Sequence, residues 1–292
     1  MFAKASGCKV NLLLNILGKR PDGFHELETI IHPVDLCDRL EFERAGNGIH
    51  LSCSDARLPV NSKNLVFRAA ALFLRSAGVG EGIRIHLHKH IPVAAGLGGG
   101  SGNAAATLLA LNELFGLPLE PAKLEELAAS LGSDIPFFLQ SRPALGTGRG
   151  EVITPLDFFP ALRGTYLVLA QPGFGISTPW AYEQMARFPA AARGAMGRAQ
   201  RLVSLLQSDV ADRAGREFYN SLEAPALRKY PLLELFQEDF RENGALGTLM
   251  SGSGSTTFAL ARTKSAAETL VEKIKGKFGA NLWTATVKTA QE

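Results

Sequence analysis

The stretch that decides the fold is GLGGGSGN at residues 96–103, where five of the seven positions from 96 to 102 are glycine. It lies between an alternating apolar strand that ends near Ile91-Pro92 and an Ala/Leu-rich segment, residues 101–115, that has the composition of a helix. Glycine allows positive φ and close backbone approach to a ligand, and the first turn of a helix offers N–H groups without helical partners. The stretch therefore predicts an anion cradle, most often for phosphate, with a flexible linker as the alternative.

Three common templates do not fit this stretch. A GxxxxGK[ST] phosphate loop is absent, because the Gly-Lys pairs at 18–19 and 276–277 lack the earlier glycine and the following hydroxyl. A dinucleotide-binding GxGxxG would need glycine where Ser101 stands, and neither GxSxG nor HExxH occurs in the chain. The predicted cradle therefore belongs to another family of phosphate-binding proteins.

Composition limits what the rest of the chain can be. The length of 292 residues suggests two domains, and 46% apolar with 20% charged residues indicates a folded globular protein. With 31 Lys+Arg against 28 Asp+Glu, the net charge of +3 is too small to favour nucleic acid or an anionic membrane as partner. Three cysteines without CxxC pairs favour reduced thiols in the cytoplasm. No stretch approaches 18 apolar residues, which argues against a membrane span.

Strand-like and helix-like segments alternate along the chain, which predicts an α+β protein in two halves. A shift to Arg, Pro and Gly around residues 140–164 suggests a rim loop or the approach to a domain boundary. The expected domains are residues 1–160 and 161–292. Asn61 or Ser62 is the expected cap of the helix that begins near Leu65. The strands are expected at 10–17, 39–43, 49–53, 83–91, 165–170, 246–250, 256–261 and 282–288. The helices are expected at 65–73, 101–115, 121–131 and 264–278, with a mostly helical region at 179–243.

Three histidines at alternate positions, His86, His88 and His90, raise the question of a metal site. Period-2 spacing separates neighbours by roughly 6–7 Å, which is too wide for a compact tetrahedral site. A solvated strand face is the preferred interpretation, and no residue is assigned as a metal ligand.

Four segments, in the right order, resemble the GHMP small-molecule kinases. The glycine stretch, with Pro92 before it, resembles their ATP-phosphate loop, and SGSG at 251–254 resembles their C-terminal glycine motif. KVNL at 9–12 with RPDGFHEL at 20–27, and GSDIPFF at 132–138, are similar to the branch that phosphorylates a CDP-linked methylerythritol in non-mevalonate isoprenoid synthesis. The resemblance implies a two-domain fold, with an N-terminal domain like domain 2 of ribosomal protein S5 and a ferredoxin-like C-terminal domain.

The same resemblance implies roles for individual residues. Asp134 would be the base that takes the hydroxyl proton, and Lys9 the cation that orients it and stabilises the developing charge. The implied ATP site consists of Pro92, Gly96, Leu97, Gly98, Gly99, Gly100, Ser101, Gly102 and Asn103. The implied substrate site consists of Asn11, Phe24, His25, Thr178, Tyr182, Gly252 and Ser253.

The substrate's cytosine is expected between two aromatic rings. Phe24 would stack on one face and Tyr182 on the other, with Trp180 as the competitor for the second position, while His25 would hydrogen-bond the base edge. Each stacked face is worth roughly 1–3 kcal/mol, by analogy with single-strand binding. The chain departs from the family pattern at three places, namely Gly7-Cys8 in place of Pro-Ala, Phe24 in place of Tyr and Gly102 in place of Ser.

The implied reaction is transfer of the γ-phosphoryl group of ATP to the 2-hydroxyl of the CDP-linked alcohol. Mg²⁺ would arrive with ATP and have no assigned protein ligand. The expected partners are these two small molecules, not nucleic acid or membrane, and the expected state is a cytoplasmic monomer or homodimer. Two alternatives stay open: a GHMP kinase of the homoserine or mevalonate type, and a non-catalytic nucleotide-binding relative.

Overall fold

The computed structural model describes residues 2–208 and 210–289. The strands are β1 (Phe2–Lys19), β2 (His25–Ala45), β3 (Ile49–Cys53), β4 (Gly82–His88), β5 (Ala144–Thr147), β6 (Val152–Pro155), β7 (Tyr166–Gln171), β8 (Tyr219–Asn220), β9 (Gly247–Met250), β10 (Thr257–Ala261) and β11 (Trp283–Lys288). The helices are α1 (Leu65–Ser76), α2 (Gly99–Leu114), α3 (Pro121–Leu131), α4 (Thr178–Gln184), α5 (Arg198–Gln207), α6 (Ala211–Arg216), α7 (Glu223–Lys229), α8 (Leu232–Glu242) and α9 (Lys264–Phe278). None of the helices in these ranges is long and apolar enough to cross a membrane.

The chain forms two compact units that interleave along the sequence. The first unit consists of Met1–Cys8, Leu36–Pro92 and Gly98–Ser141. The second unit consists of Lys9–Asp35, Val93–Leu97 and Arg142–Glu292. Strands β1 and β2 each contribute residues to both units. The division of the sequence into domains at residue 160 stays a prediction.

The first unit packs three helices on a strand layer. β3 runs parallel to β4, and β4 runs antiparallel to β2, with Leu40 opposite Leu87. Alternate residues of β4 are buried, because one face of this strand meets the helices. The core joins strand side chains to α1, α2 and α3, and its members include Leu40, Phe42, Phe73, Ile83, Ile85, Leu108, Leu111 and Leu127.

The starts of α1 and α2 differ from the sequence expectation. The predicted caps Asn61 and Ser62 are wrong, because the side chain of Asn64 accepts the N–H of Val66 at 2.9 Å. Asn61 instead accepts the N–H of Lys63 at 3.0 Å, in the turn that precedes the helix. Helix α2 begins two residues earlier than expected, at Gly99, so the glycine run itself forms its first turn.

The second unit contains a four-stranded antiparallel sheet in the order β11-β7-β10-β9. When the four strands of this sheet are numbered in chain order, the spatial order is 4-1-3-2, the arrangement of a ferredoxin-like domain, which confirms that expectation. All five residues of β10 are buried, which explains its continuous apolar character. Helices α8 and α9 pack on the sheet through Phe236, Phe240, Leu270 and Ile274. In the same unit, β8 pairs with β1, and β5 pairs with β2 and β6.

Candidate active site

The predicted anion cradle forms the N-terminus of α2. Gly98 adopts φ 69°, a left-handed conformation that glycine tolerates, and it is the N-terminal cap of the helix. The first N–H of this segment to reach a helical carbonyl is that of Gly102, which donates to Gly98 at 2.9 Å. The N–H groups of Gly99, Gly100 and Ser101 therefore have no partner from the helix ladder. This is the arrangement that binds an anion such as phosphate.

Two glycines of α2 are required by close packing within the first unit. A Cβ on Gly99 would lie 2.9 Å from Cγ2 of Ile91. A Cβ on Gly102 would lie 2.5 Å from the carbonyl oxygen of Gly7 and 3.0 Å from Oγ of Ser6. Gly102 and Gly7 are two of the places where the chain departs from the family pattern, so these two departures are in contact.

A buried ion pair supports the segment that leads into the cradle. The carboxylate of Asp38 is fully buried, forms an ion pair with Lys89, and accepts the N–H groups of His90 at 2.7 Å and Ile91 at 2.9 Å. Asn103, itself 2% exposed, donates to the Asp38 carboxylate at 2.9 Å, so this carboxylate links the end of β4 to α2. The sequence did not predict the ion pair between Asp38 and Lys89. The only sequence signal for it was the charged Asp38 among apolar residues of β2.

Asp134 lies in the same unit, just after α3. It is exposed, in a turn that the N–H of Ile135 closes onto the carbonyl of Gly132 at 3.2 Å. The next residues form a short 3₁₀ turn, Pro136–Leu139, anchored by the buried ring of Phe137. Buried neighbours, Ile135 and Phe137, thus flank an exposed carboxylate. Pro92 is half-buried in the bend after β4.

Lys9 belongs to the second unit and is only 3% exposed. Its Nζ donates to Oδ1 of Asn11 at 2.5 Å and to the carbonyl oxygen of Gly96 at 2.8 Å. Asn11 in turn donates to Oγ1 of Thr29 at 2.8 Å, which fixes the orientation of its amide. A Cβ on Gly252 would come within 3.0 Å of the Lys9 amine, so that amine lies against the backbone of the C-terminal glycine motif.

The C-terminal glycine motif, residues 251–254, connects β9 to β10 and packs against Gly96. Oγ of Ser251 donates to the Gly96 carbonyl at 3.0 Å, and a Cβ on Gly96 would overlap the carbonyl oxygen of Ser251. The hydroxyls of Ser253 and Thr178 lie 2.8 Å apart. Within the second unit the structure therefore brings together Lys9, Asn11, Gly96, Thr178, Gly252 and Ser253.

The predicted aromatic residues also lie in the second unit. Phe24 is 52% exposed, and the guanidinium of Arg149 lies 4.6 Å from its ring centroid. The rings of His25 and Tyr182 are 5.4 Å apart, whereas Trp180 lies against Tyr230 at 6.1 Å.

Partial burial, together with the positive charge of Lys19, lowers the pKa of His25 below its usual value. The neutral imidazole offers one donor and one acceptor, which suits the edge of a base.

Two histidines of β4, His86 and His88, lie beside each other on the strand. The rings of His86 and His88 are 4.2 Å apart, and His86 hydrogen-bonds Oγ of Ser52 at 2.7 Å. Within residues 2–208 and 210–289, no group of three or more His, Cys, Asp or Glu could hold a metal ion.

Two family models match the chain. The model described as GHMP kinases N terminal domain matches residues 64–142, and the one described as GHMP kinases C terminal matches residues 188–281. The first match covers the α2 cradle and Asp134, and the second covers residues 251–254.

Full-length relatives are consistent with these matches. The chain is 40% identical over 287 residues to 4-diphosphocytidyl-2-C-methyl-D-erythritol kinase of Gloeobacter violaceus, which covers 98% of this chain and 94% of that relative. A crystal structure of 4-(cytidine 5'-diphospho)-2C-methyl-D-erythritol kinase superposes with a TM-score of 0.81 at 36% identity, over 99% of this chain and 100% of that one. Homoserine kinase from Cytophaga hutchinsonii superposes with a TM-score of 0.76 at 21% identity, over 99% and 94% of the two chains, a likeness of fold alone.

Proposed function

This chain belongs to the GHMP kinases, and on that premise we propose that it phosphorylates the 2-hydroxyl of 4-diphosphocytidyl-2-C-methyl-D-erythritol, with ATP as donor, in non-mevalonate isoprenoid synthesis. The observation that carries the proposal is the Lys9 amine, which Asn11 and the Gly96 carbonyl fix against the backbone of Gly252. A cation held by buried partners can stabilise charge on a transferring phosphoryl group without reorganising.

Phosphoryl transfer needs alignment, charge stabilisation and an acceptor for the hydroxyl proton. In the proposed reaction the 2-hydroxyl oxygen forms a bond to the γ-phosphorus as the bond to the β–γ bridging oxygen breaks, and ADP leaves. Asp134 accepts the hydroxyl proton, a role that its exposure in a hydrogen-bonded turn supports. Lys9 stabilises the charge that develops on the transferred group.

ATP is proposed to place its phosphates at the N-terminus of α2, where the N–H groups of Gly99, Gly100 and Ser101 have no partner in the helix. Gly96, Leu97, Gly98, Gly102, Asn103 and Pro92 complete the proposed ATP site. Mg²⁺ enters as the ATP complex, and no side chain is assigned to it.

The cytidine end of the substrate is proposed to stack on Phe24 and Tyr182. The placement of Tyr182 beside His25, with Trp180 turned toward Tyr230, supports Tyr182 as the second aromatic. Neutral His25 then hydrogen-bonds the base edge. Asn11, Thr178, Gly252 and Ser253 are proposed to contact the remainder of the substrate. The chain is further proposed to act in the cytoplasm. Its proposed state is a monomer or a homodimer, and the molar mass from light scattering would distinguish these two states.

The decisive experiment measures ADP release with the CDP-alcohol, homoserine and mevalonate as separate acceptors. We expect turnover with the CDP-alcohol only, and a loss in kcat of about 10²–10⁴-fold in Asp134→Asn. Asp157→Asn, at an exposed carboxylate that pairs with Arg142, is the matched control and should retain activity. Turnover of homoserine or mevalonate instead would contradict the substrate, and an undiminished Asp134→Asn variant would contradict the mechanism.

A further inference from the structure

A four-residue segment to which the sequence analysis gave no function, Asn220-Ser221-Leu222-Glu223, lies at the base of the C-terminal glycine motif. Asn220 ends β8 and Glu223 begins α7. Both side chains bond the backbone at the end of β9, within the second unit. The segment therefore holds the strand from which residues 251–254 emerge.

Both the nitrogen and the oxygen of the Asn220 carboxamide form hydrogen bonds to backbone atoms. The residue is 2% exposed, and its Nδ2 donates to the carbonyl oxygens of Met250 and Gly252, each at 2.7 Å. Its Oδ1 accepts the N–H of Leu222 at 2.9 Å. The two donated bonds lie on either side of Ser251 and fix Gly252, whose φ is 56°. Aspartate has no donor to offer to two carbonyls, so the position requires an amide.

Glu223 holds the same point of the chain from the other side. Its Oε1 accepts the N–H of Met250 at 2.8 Å and Nε2 of Gln237 at 2.5 Å. Met250 is therefore held at its N–H by Glu223 and at its carbonyl by Asn220. Both bonds to Glu223 end on one oxygen, so a glutamine at this position can accept them with its own Oε1.

Burial of the Glu223 carboxyl raises its pKa to about 7, against the opposing effects of the Met250 N–H, the Gln237 amide and the charge of Arg241. Glu234, also on α8, adds to the rise. Neutral pH therefore does not fully ionise this carboxyl.

We propose that Asn220 and Glu223 are positioning residues for the phosphoryl transfer, acting through Met250 and Gly252. They hold the Gly252 backbone against the Lys9 amine and Ser253 within reach of Thr178. This inference rests on the proposed function, because it assigns residues 251–254 to the bound substrate. A shift of about 1 Å in such a segment can cost 10²-fold in rate without any loss of fold.

The test compares Asn220→Ala and Asn220→Asp with Asn15→Ala. Asn15 is a matched control, since it is fully buried in the same unit and its Nδ2 also donates two bonds, to Glu28 at 2.9 Å and to the Ala195 carbonyl at 2.8 Å. For each variant, kcat and both KM values are measured below its unfolding temperature. We expect both Asn220 variants to lose about 10–100-fold in kcat/KM for the alcohol substrate, with KM for ATP within about twofold. Asn15→Ala should lower Tm and leave the kinetic constants unchanged.

Glu223→Gln and Glu223→Ala supply the second arm. The glutamine variant should keep kcat/KM within about threefold of wild type, and the alanine variant should lose about tenfold or more, because it leaves the Met250 N–H without its acceptor. If the Asn220 variants do not fold, the comparison of Glu223→Gln with Glu223→Ala tests the positioning role. Equal kinetic losses in Asn15→Ala, or unchanged constants in folded Asn220 and Glu223→Ala variants, would overturn the inference. If the wild-type protein does not phosphorylate the CDP-alcohol, only the proposed function is overturned. The kcat/KM of each variant relative to wild type would then be measured with the acceptor that the protein does phosphorylate.

Discussion

The two glycine segments, residues 96–102 and 251–254, differ in burial and in what supports their backbone. Gly100 of the first segment is exposed, whereas all four residues of the second segment are buried. From Gly98 onward the first segment is the start of α2, and helix geometry alone leaves its first N–H groups without partners in the helix. The second connects antiparallel strands β9 and β10, where no helix begins, and the side chains of Asn220, Glu223 and Ser251 hold it. Helix geometry therefore sets the N–H groups of the first segment, whereas the backbone of the second segment depends on side chains such as that of Asn220, which lies 30 residues before Met250.

Gly96→Ala should produce the largest effect, because Gly96 is where the first segment packs against the second. The new Cβ would overlap the Ser251 carbonyl oxygen, and φ at this position is 77°. Left-handed strain of roughly 1–2 kcal/mol and overpacking of roughly 1–3 kcal/mol together predict a loss of about 4 kcal/mol in the free energy of unfolding. Urea unfolding measures this loss.

Gly100→Ala is the control for Gly96→Ala. Its nearest neighbour would be Cδ1 of Leu65 at 3.7 Å, so the substitution has room, and a helical alanine should keep or slightly raise stability. Equal stability of the two variants would mean that the contact between Gly96 and Ser251 does not constrain the second segment.

Glu223→Gln should produce the next largest effect, and its size should depend on pH. Because the folded pKa of about 7 exceeds the ordinary value of 4.5, the folded protein binds more protons between these pH values. The contribution of this carboxyl to wild-type stability is full below pH 4.5 and declines as pH rises to 7. At about 1.4 kcal/mol for each pH unit, the glutamine variant should gain on the order of 3 kcal/mol over wild type at pH 8 relative to pH 4.

Unfolding free energies of wild type and Glu223→Gln over this pH range test the prediction. Exposed Glu238→Gln, on α8, controls for the loss of one carboxylate. A difference between wild type and Glu223→Gln that stays constant with pH would show that the carboxyl is not held in its neutral form.

The same contrast between local and distant contacts explains which helices and strands could be predicted from the sequence. Helices α3 and α9 match their expected bounds, because a proline starts the first, an amphipathic pattern runs through the second, and glycines follow both. Strand β2 is expected only at 39–43 but begins at His25, since residues buried on both faces erase the period-2 pattern.

Contacts between distant residues set the limit for the candidate site. The anion cradle at α2 could be predicted because the glycine cluster lies next to the helix in the sequence. Asn220 lies 30 residues from Met250, and Asp38 lies 51 residues from Lys89, so no local periodicity marks either pair. Single buried polar residues of this kind become interpretable only when their partners are known.

Gly102→Ser is expected to have the smallest effect, and it tests how strongly the start of α2 depends on its packing against Gly7. The variant restores the serine of the family pattern, yet its Cβ would lie 2.5 Å from the Gly7 carbonyl oxygen. Backbone must shift, at a cost of roughly 1–3 kcal/mol, offset by up to about 0.5 kcal/mol of helix propensity, so a net loss of about 1–2 kcal/mol in unfolding free energy is expected. Gly100→Ser, with room for its Cβ, controls for the added hydroxyl in the same stability measurement. A Gly102→Ser variant as stable as wild type would mean that the departures at Gly7 and Gly102 are independent; the predicted loss would mean that glycine at 102 accommodates the backbone at Gly7.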